Sequence, residues 1–200
     1  MLGQTCYIEG YVDLDPGPVH TDYRCGVKSR NGQKVTDIGL ISEPQMTKGV
    51  NVTAAAAGTV RAIRDGMPDQ PISAQNRASI AEKECGNAVA VQHRGGWETC
   101  YRHLKKNSIR KKPGNVVQPG DILGQVGMTG QSNFPHLHLS VSKDGKTIDL
   151  FAQNRRRAVR KWRATVCGIR RHSIAQPACS PLNFQLLFPA LLLLNQAQRS

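Results

Sequence analysis

The chain has 200 residues, 39% of them hydrophobic and only 5% aromatic, with a formal charge of +13. That length admits one domain with a real core plus an appendage. The charge suggests a nucleic-acid binder until it is mapped. Nine of the 27 Lys and Arg, and none of the 14 Asp and Glu, lie after residue 150, so residues 1–150 are only mildly basic. The positive excess belongs to the tail, which argues against a specific nucleic-acid interface in the body of the chain.

Six cysteines (6, 25, 85, 100, 167 and 179) form no C-x-x-C pair, which argues against a thiolate zinc site. Pairing Cys6 with Cys25 and Cys85 with Cys100 would close modest loops, as in an oxidising compartment; buried free thiols fit the same spacing. The first residues show no charged start followed by an apolar run, so no signal peptide is visible. Leu186–Leu194 is apolar but short and broken by Pro189, too little to span a bilayer.

In chain order, residues 1–32 read as loop packing on a core, with Asp15-Pro16-Gly17-Pro18 as a turn cluster. Residues 33–40 predict a short strand. Residues 50–64 predict two strands joined near Ala57-Gly58, and 65–84 a surface loop with a helical turn around 78–84. Residues 86–93 and 97–104 predict a hairpin turning at Arg94-Gly95-Gly96, which leaves His93 beside the turn as an exposed residue. Lys105–Lys112 reads as basic loop, and 114–127 as short apolar runs between turns. A strand follows around Phe134–Val141, then a turn at Asp144-Gly145-Lys146 and a last strand near 147–150. Closely spaced strands with glycine turns and no long amphipathic helix predict an all-β, antiparallel sandwich or curled barrel over residues 33–151. Residues 152–200 read as a basic, leucine-rich tail, poorly ordered or weakly helical.

The strand in Phe134-Pro135-His136-Leu137-His138-Leu139 carries the chemistry. Residues two apart project from one face, so His136 and His138 point together while Leu137 and Leu139 point away. Two converging imidazoles suit a metal, or one ligand beside one acid–base group. Asp37, with residue 33 on the same face four positions earlier, and His103 in Tyr101-Arg102-His103-Leu104 complete the set. By strand alternation Arg102 faces away from His103, outside the site. Trp97 and Tyr101 read as core or groove wall.

Together with Ala55-Ala56-Ala57-Gly58-Thr59-Val60, Gly86-Asn87 and Gly127-Met128-Thr129-Gly130, these motifs resemble the M23 (LytM or lysostaphin-type) zinc metalloendopeptidases, over roughly residues 6–151. The resemblance implies a strongly curled antiparallel sheet, a Zn2+ ion, the peptides of bacterial cell-wall peptidoglycan as substrate, and a periplasmic or otherwise extracytoplasmic location. It implies Asp37 and His138 as metal ligands and His103 and His136 as the catalytic imidazoles. The family's His-x-Gly-x-Asp stretch becomes Gln33-Lys34-Val35-Thr36-Asp37, so Gln33 takes the position of the first ligand histidine. An amide oxygen is a weak zinc ligand, which sets an impaired enzyme against a non-catalytic wall-binding or regulatory module of the same fold. His20 lies outside the expected strand. Residues 114–127 also resemble biotinyl or lipoyl carrier strands, but Met128-Thr129-Gly130 offers no lysine to modify.

Overall fold

The computed structural model describes residues 6–152. Ten strands carry the fold: β1 (Cys6–Gly10), β2 (Thr36–Leu40), β3 (Asn51–Thr53), β4 (Gly58–Arg64), β5 (Asn87–Gln92), β6 (Trp97–Leu104), β7 (Val116–Val117), β8 (Ile122–Gln125), β9 (His136–Lys143) and β10 (Lys146–Thr147). Two short helices, α1 (Glu43–Lys48) and α2 (Arg77–Ile80), interrupt them. Eight strands form one antiparallel sheet in the order β1-β2-β9-β6-β5-β4-β7, with β10 pairing β9; β3 and β8 form a separate ribbon. None of the helices among the described residues is long and apolar enough to cross a membrane.

The long strands obey the expected alternation. On β6, Trp97, Thr99 and Tyr101 are buried while Glu98, Cys100 and Arg102 are partly exposed. On β9, Leu137, Leu139 and Val141 are buried while His136, His138 and Ser140 are not. The buried face meets Val52, Ala54–Ala56 and Leu123 from the ribbon and its flanks in one core with Val89, Val91 and Tyr101. At about 1.5–3 kcal/mol for each fully buried aliphatic side chain, this apolar layer is the main stabilising element.

The sheet is open and not strongly curled. Its edge strands β1 and β7 do not pair with each other, because the β3–β8 ribbon covers the apolar face that a tighter curl would otherwise have to bury. Two further departures come from the N-terminal third. Residues 6–10, read as loop, form edge strand β1 on β2. Strand β2 starts at Thr36, since Gln33 lies in a turn, its N–H donating to the Arg30 carbonyl. The loop between them is ordered by carboxylates: Asp22 accepts from the N–H groups of Arg24, Gly26 and Lys28, and Asp13 from those of Asp15, Thr21 and Gly32. Tyr11, Tyr23 and Phe151 then clasp it to the far end of the domain, with ring centroids 4.9–5.2 Å apart. Cys85 and Cys100 are free thiols. Cys167, Cys179 and the proposed tail lie outside the described residues.

His93 is buried, not exposed. One ring nitrogen, Nδ1, is 2.8 Å from the Ala57 carbonyl, and Nε2 is 2.8 Å from Thr99 Oγ1. The Tyr101 hydroxyl continues the chain, 3.3 Å from Thr99 Oγ1 and accepting the Ala55 N–H at 2.8 Å. The ring thus fastens the Ala-rich turn before β4 to β6. Burial pushes its pKa down, only partly opposed by the Ala57 carbonyl and Glu98. An unfolded imidazole titrates near ~6.5, so the stability that neutral His93 contributes is complete above that pH and is lost as the pH falls toward the lower folded value. His93→Gln is expected to cost about 1–3 kcal/mol at neutral pH, the cost of disturbing a buried polar pair. Urea titrations at neutral and acidic pH should show the wild type losing more stability on acidification than the variant.

Candidate metal-binding cleft

The functional face is the side of the sheet away from the ribbon. Register places Asp37 opposite His138, and His138 opposite Arg102, on the three adjacent strands β2, β9 and β6. Cross-strand partners project to one side, so these three side chains form a row across the sheet. His136, two residues from His138, faces the same way beside Gly39.

His103 joins them through a bulge. Between the pairs Asn87↔Leu104 and Val89↔Tyr101, strand β6 carries one residue more than β5, and His103 takes φ 59. A bulge breaks alternation and re-aims side chains. Arg102 and His103 therefore both line the cleft, which corrects the reading that put Arg102 on the far face. The cleft holds about 500 Å³ and also receives Ser132, Phe134 and Cys85.

Carbonyl oxygens fix the imidazoles. His103 Nδ1 lies 2.7 Å from the Thr129 carbonyl, and His136 Nδ1 lies 2.8 Å from that of Phe134. Each carbonyl accepts an Nδ1–H, leaving the Nε2 lone pair of both rings for the cleft. The metal-binding atoms of His103, His136 and His138 all lie within 4.8 Å of one another. The Thr129 carbonyl is itself held. Thr129 Oγ1 accepts the Asn87 N–H at 2.9 Å and donates to the Leu104 carbonyl at 3.0 Å. This requires the loops at 84–87 and 127–132 to cross closely. Gly86 and Gly130 sit at φ 59 and 78 at that crossing, where a Cβ on either would run into the backbone of the other loop.

Asp37 is almost fully buried. Burial pushes its carboxyl upward, but His138, His136 and Arg30 outweigh this and hold it below the ordinary carboxylate range. Gln33 Nε2 donates to Asp37 Oδ2 at 2.9 Å. Asp37 Oδ1 is 2.7 Å from His138 Nδ1, yet that oxygen accepts no hydrogen bond, and neither does the buried Gln33 Oε1. The distance is short, but the geometry fails the directional requirement. Buried acceptors without donors are costly. One of them, Asp37 Oδ1, lies beside an imidazole nitrogen, an arrangement that fits a cation. Asp37, His138 and Gln33 thus lie together, His103 and His136 complete the same cleft, and Arg102, Thr129 and Ser132 are the members that strand alternation and histidine spacing did not reveal.

Comparison with known proteins identifies the family. The family model for Peptidase family M23 matches residues 43–150. The chain belongs to peptidase family M23. The matched span includes His103, His136 and His138 and begins after Asp37. Among curated proteins, the chain is 35% identical over 101 residues to the DD-carboxypeptidase/endopeptidase Mpg of Neisseria meningitidis serogroup B, covering 50% of this chain and 21% of that protein. It is 31% identical over 110 residues to the cell division protein DipM of Caulobacter vibrioides, covering 55% and 17%. The chain thus spans about a fifth of the length of these relatives. The solved SpoIIIAH–SpoIIQ complex shares the fold, with a TM-score of 0.51 at 16% identity over 73% of this chain and 90% of that one.

In the metal-free protein, burial first, and then the neighbouring His136 and His138, push the His103 pKa down to about 3. A ring-proton NMR titration is therefore expected to show no step for His103 between about pH 5 and 8, where imidazoles ordinarily titrate. Because the folded value lies below the unfolded one, the accompanying stability is present above ~6.5 and lost only as the pH falls toward about 3.

Proposed function

We propose that this M23 protein is a zinc-dependent endopeptidase that cuts the peptides of bacterial peptidoglycan outside the cytoplasm. The observation that carries this reading is the buried, unsatisfied oxygen Asp37 Oδ1, 2.7 Å from His138 Nδ1, in a cleft with two further imidazoles. Asp37, His138 and Gln33 would hold the ion. Zinc in such a site supplies Lewis acidity, which acidifies water and polarises a carbonyl.

The remaining work falls to the chain's own side chains. His103 and His136 turn their Nε2 atoms to the cleft, each ring fixed by a carbonyl at Nδ1. One can take a proton from the attacking water, and the other, once protonated, can stabilise negative charge on the substrate oxygen or protonate the leaving amine. The low pKa of His103 in the metal-free protein suits a ring that is unprotonated at neutral pH. The relatives' names support the substrate class, since Mpg is called a DD-carboxypeptidase/endopeptidase.

Gln33 sets the strength of the site. A neutral amide oxygen binds zinc more weakly than imidazole, so affinity and activity are lower than a histidine there would give. Metal analysis of the purified protein should find zinc, removable by chelator, with cleavage of cross-linked peptidoglycan peptides lost alongside it. Asp37→Ala and His138→Ala should abolish zinc binding, while His103→Ala should keep zinc and lower kcat by about 10²–10⁴-fold. Gln33→His should raise zinc affinity by roughly 10–100-fold, on the scale of a large change in coordination. A folded wild type with neither zinc nor cleavage, unimproved by Gln33→His, would instead mark a non-catalytic wall-binding module.

A further inference from the structure

Arg102 lies in the row of side chains beside the proposed ion, paired across the sheet with His138. It is partly buried, and its only side-chain hydrogen bond among the described residues runs from Nε to Cys100 Sγ at 3.4 Å. It makes no ion pair there. None of the carboxylates around it pairs with Arg102: Glu98 takes Arg61 at 2.6 and 3.3 Å, one oxygen of Glu9 takes Arg30 at 3.2 Å, and one oxygen of Asp37 takes Gln33. Glu84, also at the cleft, accepts the Glu82 N–H. A guanidinium taken partly out of water without a counter-ion carries a desolvation cost that an incoming anion would relieve. Its planar fork of N–H donors matches a carboxylate in two-point fashion.

The spacing says where that anion would lie. Neighbouring strands are about 4.8 Å apart, and an extended peptide advances about 3.3–3.6 Å per residue. An anion on Arg102 would therefore lie about one to two residues from a bond held at His138. We infer that Arg102 forms a carboxylate-binding subsite that selects peptides with a free carboxylate on the residue next to the scissile bond. This rests on the peptidase reading proposed above.

The test is calorimetric binding of two probes to the zinc-loaded full chain: N-acetyl-Lys-D-Ala-D-Ala with a free terminal carboxylate, and the same peptide as its terminal amide. The wild type should bind the acid roughly 10-fold or more tightly than the amide, the scale of a charge-assisted hydrogen bond. Arg102→Ala and Arg102→Gln should bring the acid down to the level of the amide and leave the amide unchanged, while Arg102→Lys keeps part of the preference. Equal affinity of the wild type for both probes, or equal loss of both in the variants, overturns the inference, as does failure of the wild type to bind either. Zinc content and cleavage on the same preparations separate the two readings. Retained zinc and cleavage without an acid preference sinks the role of Arg102 alone, whereas a wild type lacking both zinc and cleavage sinks the peptidase.

Discussion

The antiparallel register across β2, β9 and β6 is the constraint on which the rest of this protein depends. It alone puts Asp37, His138 and Arg102 in one row, although they come from parts of the chain up to 101 positions apart. Side chains alternate with a period of two, so a slip of one residue in β9 would turn both histidines into the core and Leu137 and Leu139 onto the cleft. The burial of those leucines and of Tyr101 therefore enforces the chemistry on the opposite face. Core packing and site geometry are two consequences of one register.

A register places Cβ atoms but does not choose ring orientations or tautomers. Those come from carbonyl groups in the loops. The Thr129 carbonyl that takes His103 Nδ1–H is set by the crossing of residues 84–87 with 127–132, and that crossing tolerates no side chain at Gly86 or Gly130. Asn87 and Thr129 supply the polar ties, with Asn87 also bonded to the Leu104 carbonyl and to both backbone groups of Met67. The glycines and the threonine thus act at one remove, through the imidazole they aim.

This division also explains what could be read from the sequence. Regular alternation made β6 and β9 legible nearly residue by residue, together with the pairing of His136 with His138 and the turn at Arg94–Gly96. The family motifs pointed to the fold and to the membership that the matched span shows. Features set by non-local contacts were not legible. Strand β1 carries a turn-rich neighbourhood and is a strand only because β2 offers an edge. Helix α1, six residues with a proline in its first turn and no buried side chain, has no apolar periodicity to detect. The openness of the sheet depends on the ribbon that covers it. His93 looked like a turn residue because its partners, Ala57 and Thr99, lie on other elements. Arg102 was misplaced for a sharper reason. Alternation holds only while the strand is regular, and the bulge at His103 is visible only in the pairing.

Gln33 shows how a single amide can serve two neighbours at once. Its nitrogen is fixed by chemistry, because an ionised Asp37 can only accept, so the amide must present Nε2 to Oδ2. That choice leaves Oε1 facing away from Asp37, buried and without a donor. The side chain therefore positions the carboxylate with one end and has a bare acceptor at the other. An imidazole here would also have one nitrogen for each task, but as a much stronger donor to a soft-to-borderline cation. The amide holds Asp37 in place through Nε2, and under the proposed metal reading it would do so at the expense of affinity. On the metal reading proposed above, the residue would tune how firmly an ion is held through the carboxylate it positions.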